Sequence, residues 1–462
     1  MNLMMALGWI GVMLLVGVFL RAKVGCLKKM LVPSCVIGGI IGFILMNTTG
    51  LVGGLTAAGT MSELTPGIYS TMVTQLFTIS FISIGLTSSK QEGDESSKDV
   101  RKRVFKGAMG LGLIWVILYA ATAIVGYLCV SVFGKPFGMD GIYGLMIPFG
   151  FCQGPGQAAS YGTVMESYGW ANGAMVGVTF AALGFLFAFL VGVPIAKYGL
   201  KHGLAKYGTG LSEAIAKGII PEKEQNEESG YVTTHSGNID SLAFHAGIVT
   251  MTYILTFFIT YLLVKIVPPL GDTLWGMMFM NGMLASYFVK WVMKKFKIEY
   301  MQSEGTQRRI TGFATDFLIV AAFMSVKLSV IGLWIIPILL TGCVVALLTY
   351  VVCFYFGKRI GSENDFERTL GLWGVATGTV PSGIALVRIV DPELKTSTAV
   401  ELGAMNIPMM LCMETVTIVL MMGAGTMKEG LGLLLLLIPI PICLVLMKIF
   451  KVWGKKTFSF KK

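Results

Sequence analysis

The chain has 462 residues, of which 55% are hydrophobic and only 13% charged, with a mean hydropathy of +0.75. This balance excludes a soluble globular fold and marks an integral membrane protein. The net charge of +11 does not point to nucleic acid, because the Lys and Arg collect in short loops and not on a soluble basic face.

The first apolar run, residues 3–20, has no basic residue before it and Arg21 and Lys23 directly behind it, so it reads as a retained span and not as a cleaved leader. Further spans near the length of about 20 residues that a bilayer demands are expected at 30–47, 66–86, 105–133, 170–196, 244–267, 272–289, 310–334, 336–356, 398–423 and 431–450. Two more apolar stretches, 141–166 and 369–390, are interrupted by Gly and Pro. Charge decides their course. If 141–166 crossed the membrane, Lys197, Lys201, Lys206, Lys217 and Lys223 would face the side opposite Arg21, Lys28 and Lys29, against the positive-inside bias. If both stretches enter and return on one face, 32 of the 36 Lys and Arg are cytoplasmic or at that edge. Lys135 and Lys428 then fall outside, and Lys265 and Lys327 lie within spans. The outer loop 48–65 carries no basic residue. The N-terminus is thereby expected outside and the C-terminus in the cytoplasm.

The expected fold is an all-α membrane protein with an inverted repeat of two five-helix units. Residues 1–196 hold five spans and the re-entrant hairpin 141–166; 197–243, around "PEKEQNEESG", form a cytoplasmic linker. Residues 244–423 repeat the series, inverted, with the hairpin 369–390, and 424–462 add one span and a basic tail. "FISIGL" (81–86) and "FMSVKL" (323–328) are a faint echo between the third spans of the two halves.

A backbone that leaves the helix at membrane depth strands polar groups at several kcal/mol each unless protein or water satisfies them, so such breaks face a cavity. In "PFGFCQGPGQAAS" (148–160), Pro148 and Pro155 break the helix, Gly154 and Gly156 permit close approach, and Gln153, Gln157 and Ser160 supply uncharged polar groups. In "GLWGVATGTVPSGIALVRIVDP" (371–392), Gly378 and Pro381 break the helix, Gly383 follows, Thr379 and Ser382 offer hydroxyls, and Arg388 stands on the returning arm. Half-helix N-termini suit an anion, and freed carbonyls suit a cation. Ordinary kinked spans are the bland alternative. Arg388 could clamp a carboxylate bidentately or pair with Asp391. Thr179, Thr379 and Asn406 offer uncharged oxygens to a hard cation such as sodium, while Glu414 could carry protons. Asp316 and Lys327 are eleven residues apart in one expected span and share a helical face, with Lys327 reaching Glu401 or Glu414 or snorkelling outward.

Other chemistries find no support. The eight Cys form no CxxC pair, and His202, His235 and His245 have no metal-ligand spacing, so no metal other than sodium and no cofactor is expected. There is no Walker-type loop, and "PSG" (381–383) has no His partner for a nucleophile, so an enzyme is not expected. A passive channel lacks a filter repeat.

The motifs "QGPGQAASY" (153–161), "VTFAALGFLFAFLVGVPIAKYGLKHG" (178–203), "GTVPSGIALV" (378–387) and "VPSCVIGG" (32–39) resemble the bacterial sodium/glutamate symporter family over nearly all of residues 3–423. The resemblance implies an inverted-repeat fold whose two re-entrant loops meet at the substrate site. It also implies sodium coupling, a homodimer, elevator-like alternating access, and a place in the bacterial cytoplasmic membrane. It departs from the family's Gly-Gly-His-Gly-Thr run at Gln153-Gly154-Pro155-Gly156-Gln157, and the span 431–450 lies beyond the pattern. The expected activity is sodium-coupled symport of L-glutamate or a related small anion; the alternative is a proton-coupled carrier of another organic anion.

Overall fold

The computed structural model of the chain describes residues 2–48, 66–87, 98–207, 219, 230–235, 237–268, 271–276, 278–392 and 395–460. Among these, every regular element is helical. The first half runs α1 Asn2–Lys23, α2 Gly25–Met30, α3 Ser34–Asn47, α4 Pro66–Leu86, α5 Lys98–Phe133, a 3-10 stretch Gly141–Met146, α6 Ile147–Gln153, α7 Pro155–Ser167 and α8 Gly173–Lys201. The second half runs α9 Ser241–Ile266, α10 Gly271–Gly276, α11 Met278–Lys295, α12 Glu304–Ser325, α13 Leu328–Ile331, α14 Ile335–Phe356, α15 Asp365–Ala376, α16 Val380–Val390, α17 Thr398–Ala404, α18 Asn406–Met409 and α19 Met413–Gly423. Helices α20 Glu429–Leu436 and α21 Pro439–Ile449 follow. Most of the outer loop 48–65, Lys90, and the linker lysines Lys217 and Lys223 lie outside the described residues.

Eight described helices are long and apolar enough to cross a membrane: Leu3–Lys23, Ile68–Leu86, Lys102–Phe133, Gly173–Lys201, Ser241–Ile266, Gly332–Arg359, Thr398–Gly423 and Glu429–Ile449. The chain is therefore a multi-pass membrane protein. The expected span 30–47 shortens to Ser34–Asn47 because Leu31 takes a left-handed φ of 52° and Pro33 cannot sit inside a helix. The expected span 310–334 also ends early. Helix α12 stops at Ser325, and Val326 and Lys327 are extended. Asn47 holds this break open, its Nδ2 donating to Val326 O at 2.8 Å and its Oδ1 accepting from Leu328 N at 2.7 Å. Lys327 therefore lies outside the helix that carries Asp316, and the two share no helical face. Nor does Lys327 meet Glu401, whose carboxylate is taken by Arg368 and Ser397.

Helices α4 and α12 lie against each other at the centre of one side, with α3 on α12 and α11 on α4. Helix α1 packs on α3 as α9 packs on α11. A buried polar knot joins α4 to α12: Ser83 Oγ donates to Gln307 O at 2.9 Å and accepts from Gln307 Nε2 at 2.8 Å and Thr311 Oγ1 at 2.9 Å. On the other side α5 is the axis, with α14, α17, α18 and α21 packed around it. Its middle, from Leu111 to Ala123, belongs to the main apolar core. Together with α8, it frames the two broken segments.

Candidate functional site

The first broken segment is made by Gly154, which closes α6 and opens α7 with φ 86° and ψ −178°, a conformation reserved almost wholly for glycine. The segment's two ends come together. Tyr143, before α6, donates its hydroxyl to Ala171 O, after α7, at 2.8 Å, and its ring stands edge-on to Trp170. The second break lies between α15 and α16, which pack side by side, with Thr379 extended at the turn. Its two ends also meet: Asn364 Nδ2 reaches Ser397 Oγ at 3.4 Å, and Arg368 in the first turn of α15 holds Glu401 on α17 bidentately.

The tips of the two breaks touch. A Cβ placed on Gly154 would lie 2.5 Å from Thr379 Cγ2 and 3.4 Å from Gly378 O. Helix α8 runs past both, since a Cβ on Gly184 would sit 2.5 Å from Thr377 O and 3.4 Å from Phe151 Cα. The ring of Phe77 on α4 closes over Gly156, leaving no room there for a side chain.

Two helix N-termini, those of α7 and α16, thus meet two helix C-termini, those of α6 and α15. The carbonyls can be accounted for individually. Gly150 O accepts Gly154 N at 3.1 Å, and Cys152 O accepts Trp115 Nε1 at 3.1 Å. Trp373 O accepts Thr377 N, and Val375 O accepts Gly378 N. Among the described residues no backbone N–H reaches the carbonyls of Phe151, Gln153, Thr377 or Gly378. Gln157, 8% exposed in the first turn of α7, carries a buried Oε1 with no hydrogen-bond partner. Unspent oxygens beside helix N-termini can bind a cation and an anion as neighbours.

Several expected contributors stand at this junction. Gly154 and Thr379 are the tips themselves. Gly378 is confined by Ser382 Oγ and the Phe185 ring, Thr379 Oγ1 and Ser382 Oγ are 3.2 Å apart, and Ser160 is buried with its hydroxyl donated to Gly156 O. Others are set apart. Gln153 has its amide engaged by Tyr119 Oη at 2.8 Å and by Cys412 Sγ at 3.8 Å, which turns it away from the tips. Gly383 serves helix packing, with a Cβ there meeting Gly371 O at 2.6 Å. Arg388 is exposed, nine residues or roughly 13 Å of helix beyond Thr379. It does not pair with Asp391, whose carboxylate caps Lys395 N and Thr396 N. Asn406 is exposed and donates to Gly403 O, three residues back at the end of α17, so the structure does not bring it to Thr379. Thr179 is buried on α8 and donates to Met175 O at 2.7 Å.

Sequence reasoning passed over three groups. Trp115 and Tyr119 sit one turn apart on α5, rings stacked at 4.9 Å, and both spend their polar ends on α6. A Trp and a Tyr mid-span are a legible signal, since a buried indole N–H or phenol needs a partner. Arg368, 2% exposed, joins Glu401 and also Asp365 Oδ1 at 3.1 Å. At the same mouth, the exposed Glu363 is held below the usual carboxylate range by its hydrogen bond to Lys206 Nζ at 2.5 Å, a surface pair that adds little to stability. Finally, residues after α21 form a strap over that mouth. Gly454 N donates to Arg359 O and Thr457 N to Lys358 O, Thr457 Oγ1 donates to Asp365 Oδ2 at 2.9 Å, and the ring of Phe458 packs on Phe366.

The sequence model of the sodium/glutamate symporter family matches residues 1–393. No curated protein matches the chain.

Proposed function

The chain belongs to the sodium/glutamate symporter family, and we propose that it takes up L-glutamate itself, at the junction of the two broken segments. It is a sodium-coupled transporter and not an enzyme, with sodium as coupling ion and no organic cofactor. The observation that carries the site assignment is the contact between Gly154 and Thr379, each at the start of a half-helix and 225 residues apart.

In this reading the α-carboxylate and side-chain carboxylate of glutamate lie against the N-termini of α7 and α16, where dipoles and unspent N–H groups favour negative charge. Sodium lies against the Phe151, Gln153, Thr377 and Gly378 carbonyls, with Thr379 Oγ1 and Gln157 Oε1 within the same junction. Thr179 lies on the helix that passes it. Glutamate carries a net charge of minus one, so one sodium gives a neutral load and a second adds about 2.3 kcal/mol per 100 mV of membrane potential.

The architecture proposed is an inverted repeat with two re-entrant hairpins. Three observations support it: the ends of each broken segment lie together, the second span of each half packs on the third span of the other, and a side-chain amide caps the end of each third span. The last is Asn47 on Val326 O in one case and Gln302 Nε2 on Leu86 O at 2.9 Å in the other. Alternating access by an elevator-like shift, a homodimer, and a bacterial cytoplasmic membrane with the N-terminus outside complete the proposal.

Two experiments test it. Purified protein in liposomes should accumulate labelled glutamate only under an inward sodium gradient, and a sodium ionophore should abolish this; uptake that follows a proton gradient without sodium would favour the other-anion reading. Cysteines at Gly138 and Gly169 should both label from outside, and cysteines at Glu363 and Lys395 both from inside. A pair split between compartments would overturn the hairpins.

A further inference from the structure

Helix α6 ends within the ligand junction, and its last turn is held from one side by α5. Trp115 Nε1 removes the Cys152 carbonyl from those open to an ion, and Tyr119 Oη bonds the Gln153 amide, both residues being fully buried. The far end of the same amide meets Cys412 Sγ in the 3-10 turn Met410–Cys412. That turn follows a stretch seated on α5, where a Cβ at Gly112 would lie 2.9 Å from Met405 O. Gln153 is therefore gripped between α5 and an element that packs on α5, and the peptide it anchors is the one whose carbonyl is unspent beside Gly154.

We propose that Tyr119 is a positioning residue for sodium: by fixing the Gln153 side chain it orients the Phe151 and Gln153 carbonyls toward the ion. This rests on the junction being the site. Without the phenol hydroxyl, the half-buried Gln153 amide oxygen loses its donor. It relaxes, and the backbone it steers relaxes with it. The loss falls on ion affinity and not on the amount of folded protein, because the ring of Tyr119 still fills its place against Trp115.

The test is initial-rate glutamate uptake in liposomes as a function of external sodium, for Tyr119→Phe, Gln153→Met and the double variant. One hydrogen bond to a half-buried amide translates to a rise of about 3- to 10-fold in half-saturating sodium, with the maximal rate per folded transporter within about twofold of the parent. The double variant should be no worse than the weaker single, since both break one bond. A parental half-saturation in Tyr119→Phe, a loss confined to maximal rate, or singles whose effects multiply in the double would each overturn the proposal. Gln153→Met reads the same bond from its other end should Tyr119→Phe fail to fold. Sodium-independent uptake by the parent would instead sink the sodium reading on which the proposal rests, so the two failures are distinct.

Discussion

Replacing Gly154 by Ala probes the junction with a single methyl group. At φ 86° and ψ −178° an L side chain costs about 1–3 kcal/mol in the backbone alone. The new Cβ would also stand 2.5 Å from Thr379 Cγ2, an overlap that only a shift can relieve. Overpacking of this kind costs about 1–3 kcal/mol. The sum, about 2–6 kcal/mol, is concentrated where two tips must touch for the site to exist, so the tips part and the binding-competent population falls by about 30-fold or more. The assay is sodium-driven glutamate uptake normalised to inserted protein. Gly169→Ala is the control, because φ is 99° there but nothing lies within 4 Å of the added Cβ; its uptake should stay parental. Adding Thr379→Ser to Gly154→Ala removes the clashing methyl and should restore the steric part of the loss while leaving the backbone part. Uptake by Gly154→Ala within twofold of the parent, or no gain from Thr379→Ser, would refute the claim that the tips are pressed together.

Three further outcomes are expected. Arg368→Met leaves Glu401 and Asp365, both at most 1% exposed, without their cation and should cost about 3–5 kcal/mol, read as a lowered Tm in detergent; adding Glu401→Met should recover part of it. Glu367, in the first turn of α15 ahead of the apolar stretch, has its carboxyl raised above the ordinary 4.5, chiefly by burial. The folded state then binds its proton more tightly than the unfolded chain, so stability falls as pH rises from 4.5 through the raised value. Glu367→Gln should flatten this slope in thermal melts taken across pH, with the higher Tm on the alkaline side. Truncation after Lys451 removes the hydrogen bonds of Gly454 and Thr457 and the Phe458 contact at the mouth of α15, and should lower the Tm by several degrees without preventing membrane insertion.

Much of the fold was legible because a bilayer imposes its demands segment by segment. The helices from Pro66 to Leu86 and from Ile335 to Phe356 fall within a residue of the apolar runs that announced them. Gly154 and Thr379 were legible for the same local reason, since Gly and Pro clustered within a few residues weaken a helix there. The span expected over 310–334 was misjudged because its apolar letters run on past Ser325, while the break is held by Asn47, 279 residues from its carbonyl partner. Gln153 and Arg388 were judged by residue type and proximity in sequence. One turns out to be bonded to Tyr119, and the other lies beyond reach of the tip.

By itself, then, the sequence determined that this chain crosses a membrane many times, that helices break near Gly154 and Thr379, and which family's motifs it carries. Each of these depends on burial and backbone satisfaction within a single stretch of chain. Tertiary structure alone decided that Gly154 meets Thr379, that Trp115 and Tyr119 secure the end of α6, and that Glu401 belongs to Arg368 and not to Lys327. Such pairings follow from how whole helices pack, and a one-dimensional pattern holds no record of which faces meet.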